Sequence, residues 1–382
     1  MEAVQKNNAL IVPQTFQRDF EHGKDNFVHG VVRDGTDPVY FSHMRSGRPL
    51  LNEKLQSIEL AKQPARLAGK WLYLGGIHPH FGHFLSECIH RIWAWKEYRD
   101  QCCGVLFLPN IKEYELGRHL AGYAKEIFGL LGLEESAIRY ITELTEVDEL
   151  IVPEPGSQLG KPALNEYLEF LSTLQLGKRF ANQPLPEGFS PKVFVSRKNY
   201  RNHRSVAGLD ALETGLQQNG YYIFYPEKHS IPAQLKVYLE AEKIIFEEGS
   251  AIHLLELLDK IEADVLVINR RENAQLFTNI IRPRATHYVN YNQFTFLPRL
   301  SDKYDNALPV TDMRDLFEFM ALHGFISPSM AIAPDWTDNA KKDMLNHLLQ
   351  HANSSMPELN GKIVEYLQSV NVFLKSVSTL KK

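Results

Sequence analysis

The chain has 382 residues, 44% hydrophobic and 23% charged, a balance that fits a globular protein of about two domains and excludes disorder, collagen and coiled coil for the whole. Lys and Arg number 42 against 46 Asp and Glu, so the formal charge is -4 and any anion site must be a local patch rather than a broad basic surface for nucleic acid. The three cysteines, Cys88, Cys102 and Cys103, form no disulfide framework and point to a reducing compartment.

The opening MEAVQKNNALIVPQTF lacks the basic start and long apolar run of a secretory signal, and no window holds about 18 consecutive apolar residues. A cytoplasmic chain without a membrane span is expected. Residues 1–70 read as short strands and turns. WLYLGG from Trp71 is then a strand, and HPHFGHFLSECIHRIWAWKEYRD reads as one helix starting near Pro79. VLFLP at 105–109 is a strand, GRHLAGYAKEIFGLLGL at 117–133 a helix, and RYITEL and ELIVPEPG are further extended segments. This alternation predicts parallel α/β construction. Three prolines and a glycine between 184 and 191 mark the best linker.

A second alternating unit follows: strands KVFVSR at 192–197, YYIFYPE at 221–227, KIIFEEG at 243–249, DVLVINR at 264–270 and THYVNY at 286–291. Helices are expected at 209–220, at 232–242 and from Ala251 onward. The strands are apolar on both faces, as in a doubly wound domain. The tail from Asp335 reads as two helices, with Ile363, Leu367, Val370, Leu374 and Val377 as an apolar stripe that packs back on the body. A homodimer seam or peripheral membrane contact, helped by Lys375, Lys381 and Lys382, is the other use of that stripe.

Three places could carry chemistry. In the first, His83, Glu87 and Arg91 recur every fourth residue and share a helix face, with His80 one turn earlier. A carboxylate beside a histidine suits general-base work; an ordinary solvated face with a Glu87–Arg91 pair fits the same spacing. A metal set of His78, His80, His83 and Glu87, as in a metal-dependent hydrolase, is a further alternative, without an HExxH pattern or cysteines to support it. In the second, Arg197, Lys198, Arg201 and Arg204 crowd into one loop after a strand, where guanidinium groups could fork onto phosphate oxygens. In the third, Gly249, Ser250 and Ala251 turn a strand into a helix start, a ready anion site, flanked by Glu248 and His253.

These blocks resemble glycosyltransferase family 61, the group of plant xylan xylosyl- and arabinosyltransferases, animal O-GlcNAc transferases of the endoplasmic reticulum and bacterial capsule enzymes. HFLSECIHR is similar to the family's His-aromatic-x-x-acid block, and FVSRKNYRNHRSV to its strand-Ser-Arg-x-basic block. The stretch NGYYIFYPEKHSIPAQLKVYLEAEKIIFEEGSAIHLLEL matches the long last block, with Gly220, Pro226, Glu227, Ser230 and Gln234 in register. Two positions depart from the pattern: Glu248 replaces the usual His, as in a bacterial subset, and Gly208 and Leu209 replace Asn-Glu.

The resemblance implies a GT-B-like α/β fold, two Rossmann-like doubly wound domains facing a cleft with C-terminal helices crossing back. The acceptor domain would span 1–188, the nucleotide-sugar domain 189–330 and the helical tail 331–382. It also implies an inverting, metal-independent transferase with no cofactor beyond a nucleotide-sugar, a UDP-sugar by expectation, acting on a capsule or lipopolysaccharide hydroxyl. Glu87, oriented by His83, would be the base and Glu248 its rival. Arg197, Lys198, Arg201, Arg204, Glu227, Gly249, Ser250, Ala251 and His253 would bind the donor, His80 and Arg91 the acceptor. A phosphoryl-type transferase of capsule assembly would share the same anion loop.

Overall fold

The computed structural model describes residues 1–13, 16–19, 24–27, 31–34, 37–42, 44–45, 48–49, 63–109, 122–203, 205–271, 275–300, 307–328, 335–351 and 358–379. It is a mixed α/β protein of two compact units. The first comprises Met1–Asn182, His253–Lys260 and Gln275–Arg284; the second comprises Gln183–Ile252, Ile261–Ala274 and Ala285–Lys382.

The sheet of the first unit runs in the spatial order Ile138–Tyr140, Val105–Pro109, Ala65–Ile77, Thr145–Pro153, Ala3–Val12, Val31–Asp34, Asp37–Pro38. Its first four strands are parallel, and the strand Ala3–Val12 joins antiparallel to Thr145–Pro153. Val105–Pro109 is buried along its whole length, as a central parallel strand must be. Counting only the parallel strands in chain order, the arrangement is third, second, first, fourth. The order reverses between Ala65–Ile77 and Thr145–Pro153, and crevices for ligands lie outside the carboxyl ends of strands at such a reversal. His78 follows directly on that strand end.

The segment after it departs from the single helix expected. Phe81–His83 is one α turn, Phe84–Cys88 a π turn, and a regular helix resumes only at Trp93–Tyr98. The cause is burial all round: Phe84, Leu85, Ser86, Cys88, Ile89, His90, Arg91, Ile92, Trp93 and Ala94 are all inside. With no polar face to give to water, the chain follows its anchors rather than the 3.6-residue period. Arg91 donates to the carbonyls of Phe41 and Pro153, and the Trp93 indole donates to Glu154 O at 2.9 Å. Gly75, at φ 96 beside an irregularity in the strand, makes room for the Arg91 guanidinium; a Cβ there would stand 2.8 Å from its Nη1.

The second unit holds an all-parallel five-stranded sheet in the order Tyr222–Phe224, Lys192–Val195, Lys243–Glu247, Asp264–Ile268, Tyr288–Tyr291. By chain order this is second, first, third, fourth, fifth, the second of the two common doubly wound orders. The reversal falls between Lys192–Val195 and Lys243–Glu247, whose carboxyl ends carry the basic loop and the Gly-Ser turn. Helices Leu209–Gln218 and Ile231–Glu240 follow the first two strands, the latter capped by Ser230 Oγ on the amide of Ala233. The segment expected as a helix from Ala251 is instead 3-10 over Ser250–Leu257, and Ile252, His253, Leu254, Leu255, Glu256 and Leu257 are all buried. Again no face is left for the regular amphipathic period.

The tail forms helices Trp336–His351 and Leu359–Thr379, both within the second unit. Tyr366, Phe373 and Val377 enter its core beside Leu216, Met313 and Phe317, while Ile363, Val370 and Leu374 are half-buried against it. Leu367, read as part of the stripe, is 46% exposed. The buried line is turned toward the aromatics, whose larger area dominates the burial.

Candidate functional site

At the reversal of the second sheet, Arg197 leaves the strand Lys192–Val195 with its guanidinium laid across Gly249 and its charge 5.8 Å from the Tyr200 ring centre. Gly249 is required by this approach: a Cβ there would collide with Arg197 Nη1 and stand 3.0 Å from Cδ and Cζ. Glu247, fully buried, ties the loop down. One carboxylate oxygen accepts from Arg197 N at 3.1 Å and the other from Val206 N at 2.9 Å. Burial lifts its carboxyl above the usual range, against the pull of Arg197, the Val206 amide and Arg270.

Glu248, also buried, accepts from Arg270 N at 2.8 Å through its carboxylate, and its backbone carbonyl accepts from Arg270 Nε at 2.7 Å. Its other carboxylate oxygen lies 3.3 Å from Arg271 Nε. Burial, then Arg197 and Arg271, push the buried Arg270 guanidinium down from its usual value, and Glu248 and Glu247 only partly offset this. Three arginines therefore converge on the carboxyl ends of three neighbouring strands with repulsion left over. Such a place is built for an anion with several oxygens.

Lys198 is differently employed. Its ammonium lies 2.8 Å from Asp210 and 2.9 Å from Glu213, and the hydrogen bond to Asp210 leads in raising its pKa. Glu213 also takes the hydroxyls of Ser196 at 2.7 Å and Tyr225 at 3.0 Å. The Glu227 carboxylate accepts from the Asn199 amide, at the end of the strand Tyr222–Phe224. Ser250 and Ala251 open the 3-10 segment beside Gly249. Arg201 lies on the 3-10 turn Lys198–His203, where only its backbone is described, and Arg204 lies outside the described residues.

In the first unit, His83 Nδ1 and Glu87 Oε1 meet at 2.7 Å, with the imidazole 45% exposed and the carboxylate 22%. The His78 and His80 rings stand 5.5 and 5.2 Å from the His83 ring, and the Tyr123 hydroxyl donates to Pro79 O. His80 Nδ1 is 3.5 Å from the amide of His83. The sheet end, the α turn and the π turn thus hold a half-exposed His–carboxylate pair at the reversal point. Arg91, expected on the same face, is buried beneath it on two carbonyls. Among the described residues, no group of three or more His, Cys, Asp or Glu is placed to hold a metal ion.

His253, expected to flank the Gly-Ser turn, has a buried carboxylate as its partner. It belongs to the first unit, where its Nδ1 meets Glu256 at 2.7 Å, and the other Glu256 oxygen lies 3.0 Å from His90 Nε2. Burial would raise the Glu256 carboxyl, yet the two histidines hold it down to about 2. His90 in turn meets the Tyr167 hydroxyl at 3.1 Å.

Sequence reading missed Glu247, Arg270 and Arg271. Glu247 lies inside the segment 243–249 that reads as a strand. Arg270 was counted as a strand end, and Arg271 sits 74 positions after Arg197, so only the strand order brings them together. No curated protein matches the chain. Residues 81–260 match the family model described as Glycosyltransferase 61, a stretch holding both the His83–Glu87 pair and the Arg197–Glu247–Glu248 array, and the chain carries a glycosyltransferase domain of that family.

Proposed function

We propose that the protein is an inverting, metal-independent glycosyltransferase that moves a sugar from a nucleotide-sugar to a hydroxyl of a surface glycan, of capsule or lipopolysaccharide type. The convergence of Arg197, Arg270 and Arg271 at the reversal of the second sheet carries this reading. Guanidinium groups there would neutralise the leaving diphosphate, the task a divalent cation performs elsewhere. Gly249, Ser250 and Ala251 would add backbone donors, and Glu227 would meet a hydroxyl of the nucleoside or sugar. Arg201 and Arg204 complete the basic loop in this reading, and Lys198 stiffens it through Asp210 and Glu213.

Glu87, oriented by His83, takes the acceptor proton. The acceptor O–H bond breaks as its oxygen bonds the anomeric carbon, and the bond from that carbon to the diphosphate leaves with its electron pair. One displacement inverts the configuration. Glu248 serves the arginines, because its carboxylate is buried on Arg270 and Arg271. A GT-B arrangement, donor in the second domain and acceptor in the first near His80, belongs to the same reading, as does a cytoplasmic enzyme working at the inner face of a membrane. No helix among the described residues is long and apolar enough to cross one.

The test is incubation with a panel of nucleotide-sugars and capsular or lipopolysaccharide acceptors in EDTA, following nucleoside diphosphate release and the anomeric configuration of the product. Transfer with inversion, lost in Arg271→Ala, is the expected result. Transfer that requires added cation, or phosphoryl transfer in place of sugar, refutes the reading.

A further inference from the structure

A second recess sits beside the arginine array. It has a volume of about 80 Å³ and is lined by Ser205, Val206, Leu308, Asp343, Asn346, His347 and Gln350. At about 10–15 Å³ per water-sized group it has room for roughly five to eight of them, the size of one flat heterocycle. Its walls are continuous with the array. The Ser205 hydroxyl donates to Arg197 O at 3.4 Å, and the Val206 amide donates to the Glu247 carboxylate that also holds Arg197 N. Ser205 thus joins the recess to the backbone of Arg197.

The far wall is one stripe of the helix Trp336–His351. Positions 343, 346, 347 and 350 follow the i, i+3, i+4, i+7 rule, and all four carry short hydrogen-bonding side chains. The adjoining stripe, Trp336, Ala340 and Met344, is buried in the core together with His347. Asp343 Oδ2 accepts from Gly208 N at 2.9 Å, and the His347 ring stacks on Tyr366 at 5.6 Å, so the wall is held in place before any ligand arrives. Two primary amides, a hydroxyl and a carboxylate offer donors and acceptors in one small space. That is the complement of the edge of a nucleobase, which presents both.

We propose that this recess receives the base of the donor nucleotide, with Asn346 and Gln350 reading its hydrogen-bonding edge. The proposal rests on the donor reading above and deepens it by assigning the tail helix to nucleotide selection. Its size fits a single-ring base.

The experiment is isothermal titration of the full chain with inorganic pyrophosphate, UDP, CDP, GDP and ADP, repeated on Asn346→Ala and Gln350→Ala. Both side chains are exposed, and matching circular dichroism and melting curves show that the variants fold. The expected result is that UDP or CDP binds at least about tenfold tighter than pyrophosphate. Either substitution then removes most of that gain while the pyrophosphate affinity stays the same. The inference is overturned if no nucleotide outdoes pyrophosphate, if only the purine nucleotides do, or if the gain survives both substitutions. Pyrophosphate binding without a nucleoside gain sinks this inference alone; no binding of pyrophosphate or nucleotide sinks the donor reading with it.

Discussion

Gly249→Ala isolates what the Arg197 guanidinium does. The new methyl would collide with Nη1 and stand 3.0 Å from Cδ and Cζ, so the guanidinium must leave its position. Gly249 is not in the left-handed region, so alanine adds no backbone strain. The displaced group is the end of a flexible side chain, and its packing on Tyr200 is worth about 0.5–1 kcal/mol at most. Stability should therefore fall by no more than about 1 kcal/mol. The ligand loses more. A charge-assisted hydrogen bond contributes about 1.5–3 kcal/mol, so losing Arg197 from a diphosphate weakens binding by about 10- to 150-fold. Titration calorimetry with pyrophosphate measures the affinity, and a melting curve of the free protein measures the stability. An unchanged affinity would refute the placement of the anion over Gly249. A large fall in melting temperature with intact affinity would make the Arg197–Gly249 contact structural.

Lys198→Met should cost stability, because it strips Asp210 and the buried Glu213 of their cation, while leaving pyrophosphate affinity within about threefold; titration and melting on one preparation separate the two effects. Glu87→Gln should lower transfer by about 10²–10⁴-fold with nucleotide binding unchanged, checked by pairing a product assay with titration. Glu256→Gln should destabilise the first unit by about 3–5 kcal/mol, since it breaks a buried pair with His90 and His253; urea unfolding followed by tryptophan fluorescence reports it. In the unsubstituted protein the Glu256 carboxyl, lifted by burial but held to about 2 by the two histidines, favours the folded state above the ordinary carboxylate value. That contribution is lost as pH falls through about 2, and acid unfolding of the Glu256→Gln variant should lack it.

Much of the second sheet was legible because strands covered on both faces are uniformly apolar, and Val193, Phe194, Ile244, Ile245, Val265 and Leu266 announce themselves. The helices at 209–218 and 231–240 were equally plain, each ending a polar-apolar period at its own cap. What failed was regularity inside buried segments. Between Phe84 and Ala94, and again between Ile252 and Leu257, nearly every side chain is buried, so the helical period that argues for an amphipathic helix carries no information there. The partners of Arg91 and His253 are hidden for a second reason. Spacing along one segment shows only neighbours on that segment. Those partners are Pro153, Phe41 and Glu256, and sequence distance hides two of the three.

The same limit explains the arginine array and gives it a consequence in salt. Glu247 ends the strand Lys243–Glu247 and Glu248 follows it directly, and their carboxylates take different partners. One serves the loop after the first strand through Arg197 N and Val206 N, the other the loop after the fourth through Arg270 and Arg271. Two carboxylates thus stand among three arginines, and an excess of positive charge remains at the strand ends. Arg270 is depressed by burial and by its neighbours, yet a guanidinium stays cationic. An arriving diphosphate relieves that repulsion, and because Arg271 is 38% exposed at the mouth, part of the attraction acts through solvent. Affinity for pyrophosphate should fall as ionic strength rises, since the Debye length shrinks from about 10 Å at 0.1 M to about 3 Å at 1 M. Arg271→Ala should flatten that dependence more than Arg270→Ala, whose buried guanidinium is poorly screened. Titrations at 0.05, 0.15 and 0.5 M salt, concentrations at which roughly threefold steps are resolved, test this. Equal slopes in both variants would refute the division of labour between the two arginines.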